Sequence, residues 1–338
     1  MGLLIMWIVL TILGLALLVK GADWFVEGSA GIAKKCKISP LVIGLTVVAF
    51  GTSAPELAVS VTSAISHSTD IAIGNVVGSN ICNILLILGL SALIHKLPVQ
   101  RSSLLLDLPV LLLASALLVG LGAWGRALSW WDGLILLAVF AAYMTVLLVK
   151  ARKEQKRLKE LEKTVPREEE KTEKQPKGKI GQWFARMEEK TWFLVVLTVV
   201  GLGMVVGGGT LLVDGAKYVA RYFGVSERII GLTVVAIGTS LPELVTSVVA
   251  AAKGETDIAV GNVIGSNIFN IFMVAGISSL VYPLAFTLEG NLVDALVALA
   301  AAILLYLCSL FDKHRLGRPA GAVMLLSFIG YYVYLFLA

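Results

Sequence analysis

A fourteen-residue stretch of this chain occurs twice, 187 positions apart, and each copy places a glutamate directly after a proline in an otherwise apolar run. Residues 43–56 read IGLTVVAFGTSAPE and residues 230–243 read IGLTVVAIGTSLPE, identical at twelve of fourteen positions. A second pair keeps the same offset: residues 70–83 read DIAIGNVVGSNICN and residues 257–270 read DIAVGNVIGSNIFN, identical at eleven of fourteen. Packing alone preserves size and hydrophobicity; it does not preserve Gly, Asn, Ser, Pro and Glu at fixed offsets. The duplicated residues are those that would hold something inside a membrane.

The membrane follows from composition. The chain is 57% hydrophobic and 15% charged, with a mean hydropathy of +0.88, whereas a soluble domain carries roughly a quarter charged residues. Spans of about twenty apolar residues can be drawn near 3–33, 40–66, 70–94, 103–123, 130–150, 191–222, 228–252, 257–281, 290–311 and 320–337. The expected fold is therefore all-α and polytopic, with ten transmembrane helices, five on each side of a polar insert. Several spans exceed the length of a simple crossing, so tilts, kinks or interfacial extensions are expected. The domain division is a first half over 1–150, a charged linker over 151–190 and a second half over 191–338, with the repeated elements at 43–94 and 230–281.

Residues 150–190 hold fourteen Lys/Arg against nine Asp/Glu, an excess of +5 that equals the net charge of the whole chain. The insert is helical in propensity at first and is then broken by Pro166 and Pro176. It reads as a solvated cytoplasmic linker, with regulation or lipid-headgroup binding as the alternative. Lys and Arg then set the orientation. With the linker cytoplasmic, Lys34, Lys35, Lys37, Lys96, Arg101, Lys253, Lys313, Arg315 and Arg318 fall on the same side, and the opposite side keeps Arg126, Lys217, Arg221 and Arg228. Both termini are then extracytoplasmic, in the cell membrane. Because five spans per half is an odd number, the second half enters the bilayer upside down relative to the first. The first apolar run is too long for a cleaved signal peptide and reads as a signal anchor. Cys36, Cys82 and Cys308 read as small core hydrophobes, and His67, His95 and His314 fall in loops.

Inverted halves point to the class of secondary transporters in which broken helices from each half meet near the midplane. Pro55 lacks an N–H and collides with the carbonyl of Gly51, and Pro242 does the same to Gly238. Carbonyls around Ala49–Thr52 and Ala236–Thr239 must then face water, protein or a cation. Glu56 and Glu243 are costly at membrane depth and are functional candidates by default. Thr52 and Ser53 share a helix face with Glu56, as Thr239 and Ser240 do with Glu243. Asn75, Ser79 and Asn83 form a polar stripe in the next helix, matched by Asn262, Ser266 and Asn270, while Gly74/Gly78 and Gly261/Gly265 form small-xxx-small pairs. The duplicated donors are all oxygen, without His or Cys, which suits Ca²⁺ better than Mg²⁺ or a transition metal, and the hydroxyls, amides and carbonyls also suit Na⁺. Two further carboxylate pairs keep the offset. Asp107/Asp294 reads as interfacial or capping, or as part of transport; Glu27/Asp214 reads as lining an access path or pairing with Lys20 or Lys217.

At GTSAPE with GNVVGSNICN, and at GTSLPE with GNVIGSNIFN, the chain resembles the sodium/calcium exchanger family of the cation/calcium antiporter superfamily, in its prokaryotic form, over nearly its whole length. The resemblance implies a ten-helix antiporter that works by alternating access, needs no cofactor and is not an enzyme. Its second, third, seventh and eighth helices would form a core of cation sites, and its first and sixth would slide against that core. By motif match, Glu56 and Glu243 with the carbonyls of Thr52 and Thr239 would hold Ca²⁺. Ser53, Ser79, Ser240, Ser266 and the carbonyls of Ala49 and Ala236 would complete Na⁺ sites, and Asn83 and Asn270 would line the centre. The implied partners are Ca²⁺, Na⁺ and the lipid bilayer, not nucleic acid, with the monomer as the working unit.

Some relatives, including the potassium-dependent branch, carry an aspartate where this chain has Asn270, which argues against K⁺ co-transport. The proton/calcium branch uses a GNxxE motif absent around Glu56 and Glu243. Competing readings are a proton-coupled exchanger, separated by whether a Na⁺ or a pH gradient drives flux, and a cation channel, which would pass current without a counter-ion. An intramembrane enzyme is disfavoured because HExxH, GxGD and a nucleophile–histidine pair within the spans are all missing.

Overall fold

The computed structural model describes residues 2–164, 190–224, 236–287 and 291–337. Residues 230–235 of the second motif copy, most of the charged insert and Arg228 lie outside these segments. In the first half the helices are α1 (Gly2–Cys36), α2 (Pro40–Thr52), α3 (Ala54–Ile65), α4 (Thr69–Ile94), α5 (Ser103–Gly125) and α6 (Trp130–Thr164). In the second they are α7 (Thr191–Tyr222), α8 (Ala236–Gly238), α9 (Leu241–Lys253), α10 (Thr256–Val281), α11 (Asn291–Leu310) and α12 (Arg318–Leu337). Among the described residues seven of these are long and apolar enough to cross a membrane, and α2 with α3, bent by 45° at Ser53, makes an eighth. The remaining expected spans fall on α9 and α12. One boundary differs from the sequence expectation: α6 runs without a break past residue 150 to Thr164. Its Lys/Glu-rich continuation has strong helix formers and no proline before Pro166, so the half and the insert share one helix.

The bend between α2 and α3 has the expected cause, placed slightly later. Pro55 is the second residue of α3, where its missing N–H is harmless and its fixed φ suits a helix start. The strain is absorbed at Ser53, at φ −86° and ψ 6°, and the second half repeats this at Ser240, at φ −88° and ψ 7°. The helices also contain π-helical turns, at Gly44–Val48, Cys82–Leu88, Ser103–Asp107 and Asn270–Ala275. Such turns cluster at functional positions because the wider ladder re-aims side chains and loosens carbonyls. Two of them begin at or next to Asn83 and Asn270.

The inverted relation of the halves is visible in α1 and α7, which correspond by the repeat and run antiparallel. Trp7 stacks on Tyr218 with ring centroids 5.3 Å apart, and Gly14, Gly21 and Gly28 face Gly208, Gly201 and Thr198 in turn. Under the 187-residue offset Gly14 and Gly21 map onto Gly201 and Gly208, and the contact of Gly28 with Thr198 is repeated by Gly215 with Thr11. In lipid there is little hydrophobic drive between helices, so close backbone approach provides the packing. A Cβ at Gly201 would sit 2.5 Å from the backbone N of Phe25, and one at Gly21 would sit 2.6 Å from Met204 Cβ. Two minimal strand pairs obey the same symmetry: Leu97–Pro98 (β1) pairs antiparallel with Arg315–Leu316 (β4), and Ala127–Leu128 (β2) with Leu284–Ala285 (β3).

The core is built on α4 and α10. In α10, 94% of the membrane window is buried, and in α4 72%, against 11% for α1. The small-xxx-small pair of α10 works as expected: a Cβ on Gly261 would lie 2.7 Å from Leu41 O, and one on Gly265 2.8 Å from Leu45 O. Around Gly74 and Gly78 no described residue lies within 4 Å of such a Cβ; the segment that corresponds to α2 is outside the described residues.

The glycine seam generates a prediction with an internal control. Gly201→Ala, overpacked against α1, should destabilise the purified protein by about 1–3 kcal/mol, seen as a fall of several degrees in melting temperature. Gly203→Ala, two residues along the same helix with nothing within 4 Å, should leave the melting temperature unchanged or slightly raised.

Candidate functional site

The bends at Ser53 and Ser240 bring the start of α3 and the start of α9 together in the middle of the core. Glu56 and Glu243, one turn past each bend, are both fully buried. Each carboxyl takes its hydroxyl from the other half: Ser53 Oγ donates to Glu243 Oε1 at 2.8 Å, and Ser240 Oγ donates to Glu56 Oε1 at 3.4 Å. Ser79 lies beside the Glu56 carboxyl, and Thr52 and Ser266 beside that of Glu243. The crossed pattern is what a two-fold axis between inverted halves produces.

A second layer fixes these elements. Asn75 Nδ2 on α4 donates to Ser60 Oγ at 2.8 Å and to the carbonyl of Glu56 at 3.1 Å. Asn262 Nδ2 on α10 donates to Ser247 Oγ at 2.9 Å. The two asparagines also join the halves: Thr52 Oγ1 donates to Asn262 Oδ1 at 3.1 Å, with Val48 O equally near, and Thr239 Oγ1 donates to Asn75 Oδ1 at 3.4 Å. Asn75 and Asn262, members of the polar stripe, thus also brace neighbouring helices. Their partners Ser60 and Ser247 lie outside the two repeated motifs, yet they too keep the 187-residue offset, the one signal in the sequence that marks them.

Other atoms at the centre have no protein partner. Among the described residues, Glu56 Oε2, Glu243 Oε2 and both side-chain amide atoms of Asn83 and of Asn270 are buried and have no hydrogen-bond partner. A buried polar group without a partner costs about 1–3 kcal/mol, and a carboxylate more, so the fold bears a cost at its centre that a bound partner would relieve. Ser53, Ser79, Thr52, Ser240, Ser266, Asn83 and Asn270 are all buried with the glutamates. The Ala49 carbonyl is not wholly released by the bend, since it accepts from Ser53 N at 3.0 Å and lies 3.4 Å from Thr52 Oγ1. Ala236 opens α8, the short turn before the second bend.

The remaining carboxylates behave differently from the central pair. Asp107 is buried and accepts from Tyr143 Oη at 3.0 Å; Asp294 accepts from Tyr331 Oη at 2.8 Å. These tie α5 to α6 and α11 to α12, a structural task. Glu27 pairs with Lys253 at 3.3 Å rather than with Lys20, which pairs with Asp23 at 2.5 Å, while Asp214 pairs with Lys217 at 3.6 Å. Cys36, Cys82 and Cys308 are all free thiols.

Comparison with known proteins agrees with this geometry. The profile described as "Sodium/calcium exchanger protein" matches residues 6–149 and 193–337, both halves without the insert. The putative antiporter CaxA of Alkalimonas amylolytica is 37% identical over 333 residues, covering 97% of this chain and 98% of that protein. The sodium/calcium exchanger MaX1 of Methanosarcina acetivorans is 36% identical over 344 residues, covering 96% and 97%. A solved structure of the sodium-calcium exchanger NCX_Mj, soaked with Na⁺ and Ca²⁺, superposes with a TM-score of 0.79 at 35% identity, covering 96% of this chain and 97% of that one. A duplicated oxygen-donor site between inverted halves, matched along both halves, leaves one conclusion: the chain belongs to the sodium/calcium exchanger family, a family of membrane ion antiporters and not of enzymes.

Proposed function

We propose that this protein exchanges Na⁺ for Ca²⁺ across the cell membrane by alternating access, with both ions competing for the carboxyl pair Glu56 and Glu243. The observation that carries the reading is the crossed pair of carboxyls, each with one oxygen bonded to the opposite half and one without a partner among the described residues. A single Ca²⁺ is neutralised by two carboxylates and accepts six to eight oxygens in irregular geometry, which this set supplies. The carbonyls of Thr52 and Thr239 complete that site. Na⁺ takes the same carboxylates with the hydroxyls of Ser53, Ser79, Ser240 and Ser266 and the carbonyls of Ala49 and Ala236. Asn83 and Asn270 line the centre as neutral amides, so the site has two carboxylates and not three. Occupancy by one ion type then excludes the other, and a loaded core is less costly to carry past the apolar α1/α7 pair than a core with bare carboxylates.

The proposed disposition in the membrane has both termini extracytoplasmic and the insert 151–190 cytoplasmic, joining halves 1–150 and 191–338. Contacts on one face support it. Gln155, in the part of α6 that leads into the insert, donates to Cys36 O at 2.5 Å. The β1–β4 pair sets the Lys96 loop beside Arg315, so groups counted as cytoplasmic by charge meet in space. The proposed working unit is the monomer, since both halves of the site come from one chain.

Reconstituted in proteoliposomes, the protein should take up radiolabelled calcium when an outward Na⁺ gradient is imposed, and Glu56→Gln or Glu243→Gln should each lower that uptake at least a hundredfold. Retained uptake in either variant would remove these residues from the site, and uptake driven by a pH gradient but not by Na⁺ would replace the counter-ion. Because Asn270 is an amide, exchanging K⁺ for choline on both sides of the vesicle should leave Na⁺-driven uptake unchanged. A K⁺ requirement would mean that the central position holds a third monovalent cation without a third carboxylate.

A further inference from the structure

The copied residues that build the site obey the two-fold relation, but the contact between the long helix pair and the core does not. Along one face α1 packs against α9, whereas α7 and α3, the pair related to them by the repeat, make no comparable packing. The α1–α9 contact has two parts. Leu18, Ala22 and Val205 form a small buried cluster with Leu212, Leu241, Val245 and Val249 packed around it. Beside it Lys253, the last residue of α9, reaches across to α1. Its Nζ contacts Asp23 Oδ1, and lies 3.2 Å from the carbonyl of Asp23 and 3.3 Å from Glu27 Oε2. The other oxygen of Asp23 takes Lys20 Nζ at 2.5 Å. Every acceptor of Lys253 lies on the first helix of one half, while the ammonium ends a core helix of the other half. The side chains are about one-third exposed, Lys253 33%, Asp23 29% and Glu27 36%, so the pairs are partly shielded from water.

The repeat does not copy this cluster. Counting back or forward by 187, Ser66 stands for Lys253, Thr210 for Asp23 and Asp214 for Glu27. There is no cation at Ser66, and Asp214 is turned to Lys217 of its own helix. The cluster therefore stands apart from the duplicated donors around Glu56 and Glu243. Its position between the two parts that must move past one another gives it a different task.

We propose that Lys253, Asp23 and Glu27 form an ionic latch that holds the α1/α7 pair against α9 and keeps the linker face closed, and that its release is a step in opening that face. The inference rests on the alternating-access reading for its place in a cycle, but the latch itself is a property of one conformation. Because Glu243 lies ten residues before Lys253 on the same helix, the latch and the ion site are carried by one rigid rod about 15 Å apart. Movement of α9 that frees Lys253 also moves one of the two carboxyls.

The test uses the full chain in lipid nanodiscs, with Cys36, Cys82 and Cys308 replaced by alanine and Val249→Cys as a reporter under α1. The rate of modification of that cysteine by a water-soluble maleimide reads how often the α1–α9 contact opens. Lys253→Gln should raise the rate about 3- to 10-fold, the bias expected from losing a partly shielded ammonium with several acceptors. Lys253→Arg should stay near the parent rate, and the double variant Asp23→Asn with Glu27→Gln, which removes the acceptors instead, should reproduce the increase. The melting temperature is measured alongside: a faster rate at unchanged melting supports the latch, and a rate that rises only as the fold is lost overturns it. Unchanged rates in both Lys253→Gln and the double variant also overturn it. No ion gradient enters this measurement, so failure of Na⁺-driven calcium uptake would defeat the exchange reading alone and leave the labelling result standing.

Discussion

A carboxyl group at the centre of a membrane protein must be partnered, and this chain partners two of them across its own symmetry. Each half lends a hydroxyl to the other half's glutamate. Ser53 of the first half serves Glu243 of the second, and Ser240 serves Glu56. Because desolvation of an unpartnered carboxylate costs several kcal/mol, the halves cannot be separated without exposing both groups. The bends that place Ser53 and Ser240 at the break, the asparagines that brace the helices behind them, and the close approach of α10 to α2 at Gly261 and Gly265 all serve this one crossing.

The same crossing leaves one oxygen of each carboxyl, and the amides of Asn83 and Asn270, without partners among the described residues. Stability alone would favour filling or removing such groups. Their retention fits a protein whose fold is completed by its cargo, and it explains why the polar residues are copied more faithfully than the apolar ones around them. Two carboxylates outside the centre make the contrast clear: buried Asp107 and half-buried Asp294 each accept from a tyrosine and hold neighbouring helices together.

Two-fold symmetry describes the site, whereas departures from it describe the state. The glycine seam of α1 with α7 is itself symmetric, and it makes the two long helices a single packed unit. That unit leans toward α9, where an apolar cluster and the Lys253 ion pairs hold it. A transporter with identical contacts on both faces would have no preferred conformation; here the preference is written in residues that the duplication does not share.

Much of this was legible in the sequence, for physical reasons. The 187-residue repeat with an odd number of spans per half dictates inversion, proline in an apolar run dictates a broken helix, and glutamate behind it dictates a polar centre. What periodicity could not show was which hydroxyl meets which carboxyl. Ser53 appeared as the neighbour of Glu56 on one helix face, yet it bonds Glu243, because the bend at Ser53 turns its side chain across the axis. Nor could it show that α6 continues to Thr164, that Asp107 is buried against Tyr143, or that Glu27 chooses Lys253 over Lys20. The sequence by itself determined the membrane, the two inverted halves and the chemistry of the central donors, because these depend on composition and order along the chain. Only the tertiary structure decided the pairing between halves and the side on which the long helices rest, because these depend on distances between residues far apart in the chain.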